Sequence, residues 1–146
     1  MSADDPYNLA RFVNAQEKVY SAVLAELRSG RKQTHWMWFI FPQVEGLGRT
    51  PTSQYYSIKN GEEARQYLKH RILGARLVEC AAAVLAVEGR SALDIFGSPD
   101  DMKLKSSMTL FACFAGTETV FVRVLDKYFG GQRDERTLSL LGIAGA

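Results

Sequence analysis

Two short stretches of this chain combine residue types that a packed core does not need. The first runs from Arg31 and Lys32 through Thr34, His35, Trp36, Met37, Trp38, Phe39, Ile40, Phe41 and Pro42 to Gln43. Trp36 and Trp38 offer aromatic walls, Thr34 and Gln43 offer hydrogen-bonding groups, and Arg31 and Lys32 offer positive charge. An aromatic wall with a few placed polar groups is the make-up of a small-molecule site. His35 is the one side chain there that changes charge near neutral pH, which makes it the only candidate general acid or base. The second stretch is Lys103-Leu104-Lys105-Ser106-Ser107-Met108-Thr109. Lys103 and Lys105 supply ammonium groups, and Ser106 and Thr109 supply hydroxyl donors for an anion. Each stretch also has a plain structural reading. The rings then belong to the core and His35 is a hydrogen-bonded core histidine. The hydroxyls bond back to carbonyls four residues earlier, and Asp101 pairs with Lys105 at the surface.

The two stretches lie about 70 residues apart and share a site only if the fold brings them together. His35 opens a nearly all-apolar segment, while Ser106 and Thr109 sit in a segment apolar on two sides. Both sets are therefore expected to face the interior, where an isolated polar group costs about 1–3 kcal/mol unless paired. The expectation is a common pocket with a rim made positive by Arg31, Lys32, Lys103 and Lys105. Its natural guest is a small anionic planar metabolite, such as a nucleotide derivative, bound with or without catalysis.

Other chemistries find less support. His35, His70, Cys80 and Cys113 lack the short spacings of a zinc site, so no metal is expected, and no cofactor is called for. Gly46-Leu47-Gly48-Arg49-Thr50 lacks the preceding strand and third glycine of a phosphate loop. The acidic pairs Asp4-Asp5, Glu62-Glu63, Asp100-Asp101 and Asp134-Glu135 all fall at expected helix starts, where the helix dipole explains them. Arg65, Lys69, His70, Arg71 and Arg76 are interrupted by Glu62, Glu63 and Glu79, so a solvated face is expected rather than a specific nucleic-acid patch.

The elements that must position these groups read as helices. Leu9, Phe12, Val13, Gln16, Tyr20, Val23, Leu24 and Leu27 fall on one helical face, with a bend near Gln16 and a stop at Gly30. After the aromatic run, residues 44–60 carry turn chemistry over one long loop. Asn60 or Gly61 opens a short exposed helix, and Ile72 to Leu85 repeat at core-helix spacing up to Gly89. Ser91 caps a brief turn. Ser98-Pro99-Asp100-Asp101 reads as an N-cap, a first-turn proline and a returning acid at the head of a central helix. Thr117 or Thr119 begins the next, and Asp134 to Leu141 forms a last short one. The expected fold is all-α, with seven or eight helices in a single domain over residues 1–146, without linker or repeats.

Size and composition agree. At 146 residues the chain is close to the roughly 150 of one domain, and its 47% hydrophobic content suffices for a core. Basic residues number 18 against 16 acidic, so bulk charge names no partner. No apolar stretch approaches the roughly 20 residues of a membrane span, and the acidic start has no signal-like apolar region. Buried, unlinked cysteines fit a reducing compartment, and a cytoplasmic location is expected.

A run of residues in order resembles the bacterial domain-of-unknown-function 1810 family. It begins with Arg11-Phe12, Ala15-Gln16, Glu26-Leu27, Gly30-Arg31-Lys32, the block His35–Gln43 and Gly46-Leu47-Gly48. It continues through Tyr56, Ile58, Glu63-Ala64, Tyr67-Leu68, Leu73-Gly74, Arg76-Leu77 and Ile95-Phe96-Gly97. Asp100, Lys103-Leu104, Ser106 to Phe111 and Thr137-Leu138 complete it. The resemblance implies a mainly helical single-domain protein of undetermined activity and assigns no catalytic residue. The label calpastatin, carried by some members, does not suit this chain, because that inhibitor is a disordered repeat protein and this sequence has a large apolar core. Two functions therefore compete. One is the small-molecule site just described. The other is a non-enzymatic regulatory or interaction module that meets a protein partner, or a second copy of itself, through the Gly46–Ser57 loop and the tail Thr137–Ala146.

Overall fold

A computed structural model describes residues 5–116 and 119–143. Within them lie α1 (Ala10–Glu17), α2 (Tyr20–Arg28), α3 (Met37–Ile40), α4 (Pro51–Tyr55), α5 (Gly61–Lys69), α6 (Arg71–Ala86), α7 (Ala92–Phe96), α8 (Asp100–Ala115), α9 (Val120–Phe129) and α10 (Glu135–Leu141). The fold is all-α. Among the described residues the helices number ten rather than seven or eight, for two reasons. The first amphipathic stretch breaks at Lys18 and Val19, just past the expected bend, and the long loop contains α4. That loop is also pinned. Val44 and Ile58 form an isolated parallel bridge, with the Ile58 N–H donating to the Gln43 carbonyl at 2.9 Å and the Glu45 N–H to the Ile58 carbonyl at 2.8 Å.

Local chemistry sets the ends of these helices. Gly30, at φ 77°, follows α2 in a Schellman arrangement: the Arg31 N–H reaches the Glu26 carbonyl at 3.1 Å and the Gly30 N–H reaches that of Leu27 at 3.0 Å. The Asn60 side chain accepts from the Glu63 N–H, and Ser91 and Asp94 form a reciprocal capping box. His70 caps α6, its Nδ1 accepting from the N–H groups of Ile72 and Leu73 at 3.2 Å each. A Cβ at Gly74 would stand 2.2 Å from the Leu68 carbonyl oxygen, so glycine is what lets α6 start this close behind α5.

The head of α8 differs from expectation. Its N-cap is Pro99 and carries no side-chain cap. The Gly97 carbonyl accepts from Asp101 at 2.9 Å, and the Pro99 carbonyl accepts from Met102 and Lys103. The N–H groups of Asp101, Met102 and Lys103 are thus met by backbone carbonyls and not by the Ser98 hydroxyl. Thr119 precedes α9 without a side-chain cap, and Thr117 lies outside the described residues. So do residues 144–146 of the tail.

Two sixteen-residue helices, α6 and α8, organise the core. Helix α8 packs against α5, α7, α9 and α10, and α6 against α1, α2, α5 and α9. Ser106 through Phe111 are buried without interruption, which on a 3.6-residue turn means that every side of α8 is covered there. Helix α5 is less exposed than its sequence suggested, because Glu63, Ala64 and Tyr67 are all inside. Cys80 is buried on α6, Cys113 half-buried on α8, and both are free thiols. Among the described residues no helix is long and apolar enough to cross a membrane.

Candidate functional site

The aromatic block and α8 meet at a surface cleft of about 520 Å³. Trp38 and Gln43 line it from the aromatic segment, Arg49 from the long loop, Lys103 and Ser106 from α8, and Asp134 and Arg136 from the head of α10. Helix α3 explains why one tryptophan reaches the cleft and the other does not. Its inner side buries Met37 and Ile40 beside Trp36, which is 1% exposed, while Trp38, two positions on, turns aside and is half-buried.

Positive charge gathers at the Trp38 ring. The Lys103 Nζ lies 5.4 Å from the ring centroid, within cation–π range, and 3.5 Å from the Asp100 carboxylate. That carboxylate is shared, because Lys32 binds its other oxygen at 3.0 Å. Arg49 and Arg136 have no salt-bridge partner among the described residues. Among the described residues Asp134 is the one carboxylate lining the cleft, and it already accepts several hydrogen bonds. Its Oδ2 accepts from the Thr137 N–H at 3.0 Å, from the Thr137 hydroxyl and from the Ser106 hydroxyl at 3.2 Å. The Asp134 N–H in turn donates to the Thr109 hydroxyl at 2.9 Å. Ser106 and Thr109 therefore dock α10 onto α8, and only Ser106 also borders the cleft.

Residues 6–141 match the family model described as "Protein of unknown function (DUF1810)". The chain belongs to this family. Among solved structures it is similar to the conserved hypothetical protein Rv1873 from Mycobacterium tuberculosis, with a TM-score of 0.93 and 54% sequence identity over 96% of this chain and 100% of that one. No curated protein matches the chain.

Within this family fold the proposed site residues separate into three groups. Trp38, Gln43, Lys103 and Ser106 come together in the cleft. Lys105 lines an adjoining hollow with Arg133 and Arg136, and does not pair with Asp101, whose Oδ1 is buried without a partner. Arg31, Lys32, Thr34, His35, Trp36 and Thr109 are not brought into the cleft. The reason for the 31–36 segment is Glu26. Its carboxylate accepts from the Thr34 hydroxyl at 2.6 Å, the Gln33 N–H at 2.8 Å, the Thr34 N–H at 3.1 Å and the Trp36 indole N–H at 2.9 Å. Desolvation alone would raise this carboxyl, but the hydrogen bonds prevail and hold it down at about 2. The segment is thus folded back over the end of α2, and His35 is left exposed on it. The interior placement expected for His35 begins one residue later, at Trp36.

Several important groups gave weak sequence signals. Asp134 stood out only as a helix start, and Arg49 only as part of a loop. Arg136 gives no local signal, and the sequence marks Glu63 only as a helix start because its partner Arg11 lies 52 residues away. Arg11 and Glu63 meet at 2.8 Å with side chains 3% and 0% exposed.

Proposed function

We propose that the Trp38 cleft binds a small anionic ligand bearing a planar group. The observation that carries this reading is that Arg49, Lys103 and Arg136 line one cleft with the half-buried Trp38, against a single lining carboxylate, Asp134, among the described residues. A cleft of about 520 Å³ is of the size that holds small metabolites. Trp38 supplies the apolar contact for the planar group, and Lys103 stands beside it for the anion. Gln43 adds an amide for orientation. Arg49 and Arg136 supply guanidinium forks suited to carboxylate or phosphate.

Binding is favoured over acid–base catalysis because no histidine lines the cleft and Asp134 is occupied as an acceptor. The test is a thermal-shift screen over nucleotides, sugar phosphates and carboxylates. A ligand at about 100 times its Kd stabilises by roughly 2.7 kcal/mol. The expected result is a shift that is lost in Trp38→Ala and in Lys103→Ala and kept in His35→Ala. Absence of any shift across the screen, or a shift indifferent to both cleft variants, overturns the proposal.

A further inference from the structure

Helix α6 follows α5 with His70 alone between them. The backbone of His70 closes α5, its N–H donating to the Gln66 carbonyl at 2.9 Å and to that of Tyr67 at 3.2 Å. Its carbonyl opens α6 by accepting from the Gly74 N–H at 2.8 Å. Its ring completes the corner, because Nδ1 accepts from both the Ile72 and the Leu73 N–H. Two of the orphan donors at the head of a core helix therefore depend on one imidazole nitrogen. Leu73 is fully buried and Gly74 leaves no room for a Cβ against the Leu68 carbonyl, so the turn has little freedom to find another cap.

Histidine brings to this position a property that Ser or Asn would not. A neutral imidazole has one acceptor nitrogen, and a protonated one has none. Turning the ring over does not restore the cap, since both nitrogens then carry hydrogen. The added charge also stands at a helix N-terminus, where the dipole opposes it. Water reaches the ring, which is half-buried in a depression of about 380 Å³ between α5, α6 and the entry to α1. Among the described residues, the other charged or titratable groups lining that depression are Asp5, Tyr7 and Lys69. Asp5 already caps α1, its carboxylate accepting from the Leu9 N–H at 2.7 Å and the Ala10 N–H at 3.0 Å. Lys69 and Arg71 flank His70 in the chain with further positive charge, and the first turn of α6 has no acidic residue to offset it.

We propose that His70 makes the corner between α5 and α6 sensitive to protons: when its ring takes up a proton, the first turn of α6 loses its cap and the fold loses stability. An imidazole gains that proton between about pH 8 and about pH 5. The stabilisation is present while the ring is neutral and is lost as pH falls.

The test is urea denaturation of the whole chain at the two ends of that range. His70→Asn keeps a capping acceptor that does not titrate, and His70→Ala removes the acceptor at every pH. On going from the alkaline to the acid end, the folding equilibrium constant of the parent is expected to fall about tenfold further than that of His70→Asn, the worth of one N-cap. His70→Ala is expected to be about tenfold less stable than the parent at the alkaline end and no less stable at the acid end. His35→Asn follows the parent, because His35, the only other histidine, is exposed ahead of α3. An equal fall in the parent and in His70→Asn, or a deficit of His70→Ala that does not change with pH, overturns the proposal. So does a fall that His35→Asn abolishes.

Discussion

Arg11 and the Trp38 cleft treat positive charge in opposite ways. The Arg11 guanidinium is inside the protein and spends every N–H. Its Nε donates to the Tyr55 carbonyl at 2.8 Å, Nη1 to the carbonyls of Tyr7 and Asn8, and Nη2 to the Ser57 carbonyl at 2.9 Å and to Glu63 at 2.8 Å. Glu63 completes the node by accepting from the Lys59 N–H with its other oxygen. One cation thus ties the entry to α1, the end of the long loop and α5 together, and nothing is left over for a ligand. Around Trp38 the cations outnumber the carboxylates, and they sit at an opening instead of in the core. Buried charge with complete hydrogen bonding holds the fold together, whereas charge at an opening beside an aromatic ring is the feature on which the proposed recognition rests.

That contrast can be broken at its strong end first. Glu63→Ala strands a buried guanidinium and is expected to cost about 3–5 kcal/mol in urea denaturation. A loss below about 1 kcal/mol would show that water reaches Arg11 and that the node is not closed. The two tryptophans give the same contrast within one short segment. Trp36→Ala replaces a fully buried ring and is expected to cost about 3–5 kcal/mol. Trp38→Ala should cost only about 1 kcal/mol, because its ring already borders solvent. Equal losses would erase the distinction between core ring and cleft ring.

Glu26 sharpens the comparison through pH. Its folded carboxyl titrates at about 2, below the ordinary 4.5, so the unfolded chain binds more protons across that window. The stability Glu26 contributes is present above 4.5 and is lost as pH falls toward about 2. Denaturation across that range should show a shallower decline in Glu26→Gln than in the parent. An identical slope would mean that the Thr34 and Trp36 bonds do not hold in solution. The smallest effect belongs to Ser98→Ala, expected within about 0.5 kcal/mol because the Ser98 hydroxyl caps nothing. A loss of about 1 kcal/mol would restore it as the cap of α8.

Helix type and order were legible because apolar spacing and capping residues are local signals. Gly30, Asn60, Ser91 and Asp134 act as their neighbours in sequence implied. At the head of α8 the Ser98, Pro99 and Asp101 types form a good capping pattern, yet the chain leaving α7 meets the N–H groups of Asp101, Met102 and Lys103 with the Gly97 and Pro99 carbonyls. The site was half legible. Trp38, Gln43, Lys103 and Ser106, singled out in the sequence for their mixture of ring, amide, ammonium and hydroxyl, line one cleft. His35 and Thr34 were drawn in by adjacency to the apolar run, while the competing pull of Glu26, eight residues before Thr34, had no local mark. Arg49 and Arg136 carry no local mark because a surface arginine is chemically unremarkable until the fold sets it in one cleft with an indole.

The proposal that the cleft at Trp38 and not the buried block at Trp36 meets the ligand is tested most directly by following the two indole N–H resonances during nucleotide titration. The chain has only these two tryptophans, and the Trp36 indole is fixed on Glu26 at 2.9 Å. The account predicts that the Trp38 resonance moves saturably with a nucleoside mono- or diphosphate while that of Trp36 stays in place. A titration in which Trp38 does not respond to any of them, or in which Trp36 moves alone, would contradict it.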